Sequence, residues 1–228
     1  MTKKLGLLGG TSYPSTVYYY RRLNELYQTR QGGYHSCPLV LHNIDYHAIK
    51  SRYHHGWEEI PQLLKAEVEQ LLAYQPDFLV LCNNTLHKAL DIIRPELGLS
   101  IPVAHILELT QAYVQAQGMQ QVLLLGTRFT MEDGFFSDAL REVGVSVIIP
   151  NKAERARIQE IQSAVSGGQM ADEYVSYFRQ IAETYTHCDG IILGCTEFPL
   201  IFEQMEVDTP LVNTIELQCQ FAVDFLLS

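Results

Sequence analysis

The chain has 228 residues, 47% hydrophobic and 18% charged, enough for one large or two small α/β domains and too apolar for a disordered one. Sixteen Lys and Arg against 26 Asp and Glu leave a formal charge of −10 with no basic run, which argues against nucleic acid and anionic membrane as partners. No stretch approaches the ~18 consecutive apolar residues of a membrane span.

In chain order, the opening MTKKLGLLGG carries basic residues, but Gly-Gly breaks its apolar stretch, so it is not expected to be an export signal. KLGLLGG (4–10) reads as a strand, followed by PLVLHNI (38–44) and FLVLCN (78–83). Between the last two, IPQLLKAEVEQLLAYQ (60–75) sets Leu63, Leu64, Val68, Leu71 and Leu72 at helical spacing. VLLLGT (122–127), VSVIIP (145–150) and GIILGC (190–195) are further strands. FFSDALREV (135–143), EYVSYFRQIAETY (173–185) and TIELQCQFAVDFLLS (214–228) are further helices. Strands alternating with helices predict an α/β fold with mostly parallel sheets, whose ligands sit beyond the carboxyl ends of the strands.

The chain also reads as two similar halves. GLLGGTS opens one and VLLLGTR the other, each a strand ending in Gly-Thr. About 70 residues later each half has a second apolar run that stops at a polar cluster, LVLCNNT and IILGCTE. The expected organisation is two pseudo-symmetric lobes facing one another across a cleft. The first covers 1–100 and is completed by the C-terminal helix 214–228; the second covers 101–213.

Cys195 follows Gly194 at a strand end and precedes Thr196, Glu197 and Pro199. Thr196 or Glu197 is suited to cap a helix there, with Pro in its first turn. The positive end of that helix would favour thiolate at Cys195, although an inert buried strand cysteine is the commoner fate of such a residue. An unperturbed thiol, with a pKa near ~8.5, is only a few per cent ionised at neutral pH, so a modest depression makes it a usable base. Cys82 and Asn83 alternate along their strand, so only one of them can face the cleft with Asn84 and Thr85.

GLLGGTS matches neither G-x-G-x-x-G nor a P-loop. It is better read as a tight turn whose backbone N–H groups, with Thr11, Ser12, Ser15 and Thr16, receive a carboxylate. Thr127 after Gly126 suits the same role. The histidines (His42, His47, His54 and His55 among them) show no H-E-x-x-H or Cys/His ligand spacing, so no metal is expected. His87 and His105 beside strand ends are open to supporting or catalytic roles, and the tyrosines of VYYYRRL (17–23) are explained by packing. Five cysteines, odd in number and scattered without C-x-x-C, suggest reduced thiols and a cytoplasmic location.

The motifs LGLLGGTSYPSTVYYYRRLNE, GGYHS, NNTLHK, IPVAHI, LLGTRFTM and LGCTEFPL, in this order and spacing, resemble the aspartate/glutamate racemase family along nearly the whole chain. The resemblance implies two α/β lobes, no pyridoxal phosphate or other cofactor, an amino-acid or dicarboxylate substrate and a homodimer. It also implies two cysteines, one per lobe, flanking the substrate Cα. A thiolate takes the proton from one face and a thiol delivers one to the other, while amides and hydroxyls hold the developing charge.

Cys195 matches the second family cysteine. The first stands directly before Asn-Thr in the family, and here that residue is Asn83, with Cys82 one place earlier. A one-residue offset on a strand reverses its facing, so the role does not transfer to Cys82. An amide cannot exchange a proton at neutral pH, so Asn83 either positions a water or leaves the enzyme one-sided. Thr11, Asn84, Thr85, Thr127 and Thr196 are expected to hold carboxylates. Tyr53 or Arg52 stands where relatives place a Gln or Arg, and Arg157 in ERARI is the candidate for the distal carboxylate. Two other readings stand beside a racemase: a single-cysteine decarboxylase or isomerase of the same superfamily, and a non-catalytic carboxylate-binding protein.

Overall fold

Parallel strands buried on both faces need near-continuous apolar runs, and LGLLG, FLVL, VLLL and GIIL supply them. A computed structural model describes residues 3–53 and 55–228 and gathers them into two compact units. One runs to His105 and takes in Gln218–Ser228; the other is Ile106–Leu217.

In the first unit the elements are β1 (Leu5–Gly9), α1 (Tyr13–Gln31), β2 (Leu39–Asn43) and α2 (His47–Lys50), then a 3-10 turn at Trp57–Glu59, α3 (Ile60–Leu72), β3 (Phe78–Leu81) and α4 (Leu86–Leu97). Its sheet has the order β2-β1-β3, all parallel, with Leu7 opposite both Leu41 and Val80. Leu8, Leu79 and Leu81 pack on one side against Leu64, Val68 and Leu71 of α3 and Leu86, Leu90 and Ile93 of α4.

The second unit has α5 (Ile106–Ala116), β4 (Gln121–Leu125), α6 (Arg128–Glu132), α7 (Phe135–Glu142), β5 (Ser146–Ile148) and α8 (Lys152–Ser166). It continues with α9 (Asp172–Thr184), β6 (Gly190–Leu193), α10 (Phe198–Phe202) and β7 (Leu211–Asn213). The last helix, α11 (Thr214–Leu227), begins in this unit and ends in the first. The order is β5-β4-β6-β7, again all parallel. Alternation along β4 sends Leu123 and Leu125 to a core with Phe178 and Phe198, and Val122 and Leu124 to one with Phe136 and Leu140.

Described one at a time, the units repeat a plan. In each, the first strand is central, the second lies on one side and the third on the other. Asp77, just before β3, accepts the Lys4 N–H; Asp189, just before β6, accepts those of Gln120 and Gln121. The strand β7 has a counterpart in the single parallel bridge of Val103 with Leu79. At three residues β7 was too short for its periodicity to be seen in the sequence.

Candidate active site

The β1–α1 turn is built by close backbone approach. Gly10 has φ +88°, and a Cβ there would fall 2.3 Å from the Ile44 carbonyl oxygen. Its N–H donates to Thr16 Oγ1, which donates to the Ser12 carbonyl, as does Ser15 Oγ. Thr11 Oγ1 donates to the Cys82 carbonyl at 2.7 Å, tying this turn to the end of β3. Three of the four hydroxyls expected to meet a carboxylate therefore hold the turn itself. Ser12 is different: only 7% exposed, its Oγ has no hydrogen-bond partner among the described residues, and it stands at the N-cap of the 19-residue α1. A buried hydroxyl with unused capacity at a helix N-terminus suits an anion.

At the end of β3 the two neighbours separate by burial. Cys82 is 0% exposed, and burial holds its thiol well above the ordinary range, so it is a core residue. Asn83 is partly exposed. Its Oδ1 accepts the Leu86 N–H at 2.9 Å, holding the first turn of α4, and its Nδ2 donates to Tyr46 Oη at 3.3 Å. Tyr46 donates to Tyr53 Oη at 2.7 Å. The Tyr53 ring meets Trp57 edge-on at 5.4 Å, with the Lys50 ammonium 5.3 Å from its centroid. Asn84 and Thr85 are buried beside them, Thr85 at the N-cap of α4.

Behind this turn lies a buried polar network. His87 faces the Asn83 carbonyl through Nδ1 at 2.9 Å; a carbonyl only accepts, so Nδ1 carries the proton. Gln218 of α11 lies 3.4 Å from the other ring nitrogen, donates to the Ala104 carbonyl at 2.8 Å and accepts from the Tyr19 hydroxyl. Burial, reinforced by the neighbouring His105, lowers His87 to about 3, so it is neutral in ordinary buffers.

At the end of β6, Gly194 lets the chain pass close to β4: a Cβ there would meet Leu124 Cδ1 and the Leu125 carbonyl oxygen at 2.9 Å. Cys195 and Glu197 follow, 6% and 2% exposed. The Cys195 thiol donates to Glu197 Oε2 at 2.9 Å, Thr196 Oγ1 donates to the same oxygen at 3.3 Å, and Ser166 Oγ donates to Oε1 at 2.9 Å. Glu197 sits at the N-cap of α10 but makes no side-chain cap bond to that five-residue helix. The acceptor of the thiol's hydrogen bond is a carboxyl group, which can also receive a proton. Thiol and carboxyl thus form a pair that can share one transferable proton.

The remaining candidates fall apart from this pair. Thr127 Oγ1 accepts the Thr130 N–H at 3.1 Å and caps α6. Arg157 is on the exposed side of α8, bound to Glu160 at 3.0 Å and Glu173 at 3.2 Å, which raise its pKa. Nine helical residues, roughly 13 Å, separate it from Ser166, which meets Glu197. The structure does not bring Arg157 to the Cys195 cluster. Among the described residues no group of three or more His, Cys, Asp or Glu is placed to hold a metal ion, and His54 lies outside them. Within the first unit the structure joins Asn83 to Tyr53 through Tyr46; within the second it joins Cys195 and Thr196 through Glu197. Tyr46, Glu197, Ser166 and Gln218 have no signature spacing that marks them beforehand. Only the position of Glu197, two residues beyond Cys195, hinted at its role.

Comparison with known proteins follows the same outline. A family model described as Asp/Glu/Hydantoin racemase matches residues 8–222. The crystal structure of a candidate Asp/Glu racemase from Yersinia pestis is 32% identical, covers 99% of this chain and 100% of its own, and superposes with a TM-score of 0.85. That of an aspartate racemase homologue from Pyrococcus horikoshii OT3 is 26% identical, covers both chains fully and gives 0.84. A glutamate racemase from Exiguobacterium sibiricum is 26% identical over 147 residues, 64% of this chain and 54% of its own. The chain thus spans about half the length of the curated relatives it matches.

Proposed function

The chain belongs to the Asp/Glu/hydantoin racemase family, and from that premise we propose that it is a cofactor-independent racemase of an acidic amino acid, aspartate or glutamate. The observation that carries this reading is the buried hydrogen bond from Cys195 to Glu197 at the carboxyl end of β6. Proton abstraction from Cα needs a thiolate, which forms when the shared proton moves to Glu197. In water that transfer costs about 6 kcal/mol, from reference pKa values near 8.5 and 4.3. The ammonium group of an arriving amino acid brings positive charge near the sulfur and favours the transfer. Cys195 then takes the Cα proton on one face, leaving an enolate-like carbanion whose charge is held by N–H and hydroxyl groups. Asn83, at the turn that follows β3, orients neighbouring groups through its amide without transferring a proton itself.

Within the first unit, Ser12 Oγ with Asn84 and Thr85 is the natural set for a substrate carboxylate. Ser12→Ala is expected to raise KM about tenfold with kcat little changed, the worth of one hydrogen bond to a charged group. Equal KM values for the two proteins would remove Ser12 from the site.

Proton NMR in deuterium oxide tests the function: both enantiomers of aspartate and glutamate should gain deuterium at Cα or interconvert. Cys82 is fully buried, while Cys195 is hydrogen-bonded to a carboxyl group; one reactive thiol favours a second reading, a decarboxylase or isomerase of the same superfamily. Turnover of substituted malonates or maleate, with no Cα exchange in amino acids, would decide for it.

A further inference from the structure

In the second unit a groove of about 470 Å³ opens between α9 and the segment that follows α10, lined by Arg179, Glu203, Gln204, Met205 and Glu206. Its walls are pinned from within. Phe178, next to Arg179, is buried against Phe198 and Phe202 of α10, with ring centroids 4.8 and 5.7 Å apart. Beyond that helix the N–H groups of Glu203, Gln204 and Met205 donate to the carbonyls of Pro199, Ile201 and Phe202. Gln204 Nε2 donates to the Leu200 carbonyl at 2.9 Å. Met205 is partly buried and packs on the unit's core, giving the groove one apolar patch among polar and charged groups.

The charges there are not matched as they are elsewhere. Every other arginine has a partner, for most of them a carboxylate. Arg179, in a chain of formal charge −10, has no hydrogen bond, ion pair or ring contact among the described residues, although two glutamates line the same groove. Among the described residues the Glu206 carboxylate has none either. One concave surface therefore presents a cation and an anion that do not pair with each other. We propose that this groove binds a free neutral α-amino acid, its carboxylate on Arg179, its ammonium on Glu206 and its side chain against Met205.

Each contact follows from the chemistry of its group. A planar guanidinium meets a carboxylate with two parallel N–H donors, and its charge strengthens both. A glutamate carboxylate accepts from the N–H donors of an ammonium. A zwitterion brings both partners at once, whereas a simple anion would leave Glu206 unpaired and meet its repulsion. The glutamates also set the ligand class. A second carboxylate, as in aspartate or glutamate, would be repelled by Glu203 and Glu206, while the Met205 thioether adapts to small apolar side chains. The groove thus takes a different ligand from the one proposed for the Cys195 turn, and the inference stands whichever reaction that turn performs.

The test is an NMR titration of the full chain with isotope-labelled methionine methyl groups, the Met205 signal being assigned by its loss in Met205→Leu. L-Alanine should move that signal saturably, at roughly millimolar concentration for so small and open a contact. N-Acetyl-L-alanine lacks the ammonium and L-alaninamide lacks the carboxylate, and each should bind about tenfold more weakly or worse. Arg179→Gln and Glu206→Gln lie at exposed positions where the fold tolerates change, and each should weaken L-alanine binding by a similar factor. L-Aspartate should bind more weakly than L-alanine. A Met205 signal that L-alanine does not move overturns the assignment, as does unchanged affinity in either variant. N-Acetyl-L-alanine binding as tightly as L-alanine overturns it too, because the groove is then a plain anion site. So does tighter binding of L-aspartate, which removes the repulsion on which the ligand class rests.

Discussion

Cys195→Ala is expected to lose Cα–H exchange by about a thousandfold or more while remaining folded. General acid–base groups contribute ~10²–10⁴ in rate, and the proposed mechanism gives the sulfur the proton-abstracting role. Cys195→Ser should lose nearly as much, because a hydroxyl is a far weaker acid than a thiol, yet it keeps a donor for Glu197 and should keep substrate affinity. Glu197→Gln separates the proton acceptor from the packing: it preserves the shape and an acceptor for Ser166, but it cannot take the thiol proton, and about a hundredfold loss is expected. The structural cost of Cys195→Ala is one of three donors to a buried carboxylate, about 1 kcal/mol, readable by urea denaturation. Full exchange activity in Cys195→Ala would remove the thiol from the chemistry.

The second large effect concerns stability and acid. His87 stays neutral in the folded protein down to about pH 3, because burial and the neighbouring His105 disfavour its charged form. In the unfolded chain an imidazole protonates near 6.5. Between those values the unfolded state binds one more proton, so stability is full above about 6.5 and is lost as pH falls toward 3. The whole span is worth about 5 kcal/mol, a large share of a typical domain's stability. Urea denaturation at pH 7 and pH 4 should show His87→Gln losing markedly less on acidification than wild type, although it is less stable at pH 7. Identical acid losses in the two proteins would show that His87 protonation does not drive acid unfolding.

The strands were legible because parallel sheets are written in uninterrupted apolar runs. All six that the sequence announces begin and end within two residues of where they stand. Cys195 was legible as a polar break at a strand end. Cys82 is fully buried and Asn83 partly exposed, but both lie beyond β3, which stops at Leu81, so strand alternation does not divide them. Partnerships made by side chains distant in sequence were not legible. Ser166 reaches Glu197 from 31 residues away and Tyr46 reaches Asn83 from 37, and no periodicity encodes either. Arg157 shows the opposite error. Charge alone made it a candidate, and an exposed helix face with two glutamates within reach explains it.

Gln218 belongs to the last helix, and its amide closes the hydrogen bonds of Tyr19, Ala104 and, through His87, the Asn83 turn. During vectorial synthesis the ribosome has made nearly all of the chain before that amide emerges. The amino-terminal unit must wait, with buried acceptors uncovered, while the residues of its successor are translated. Nascent chains arrested just short of residue 218 should therefore remain protease-sensitive in their earliest-made half, the reverse of the usual order in which domains mature.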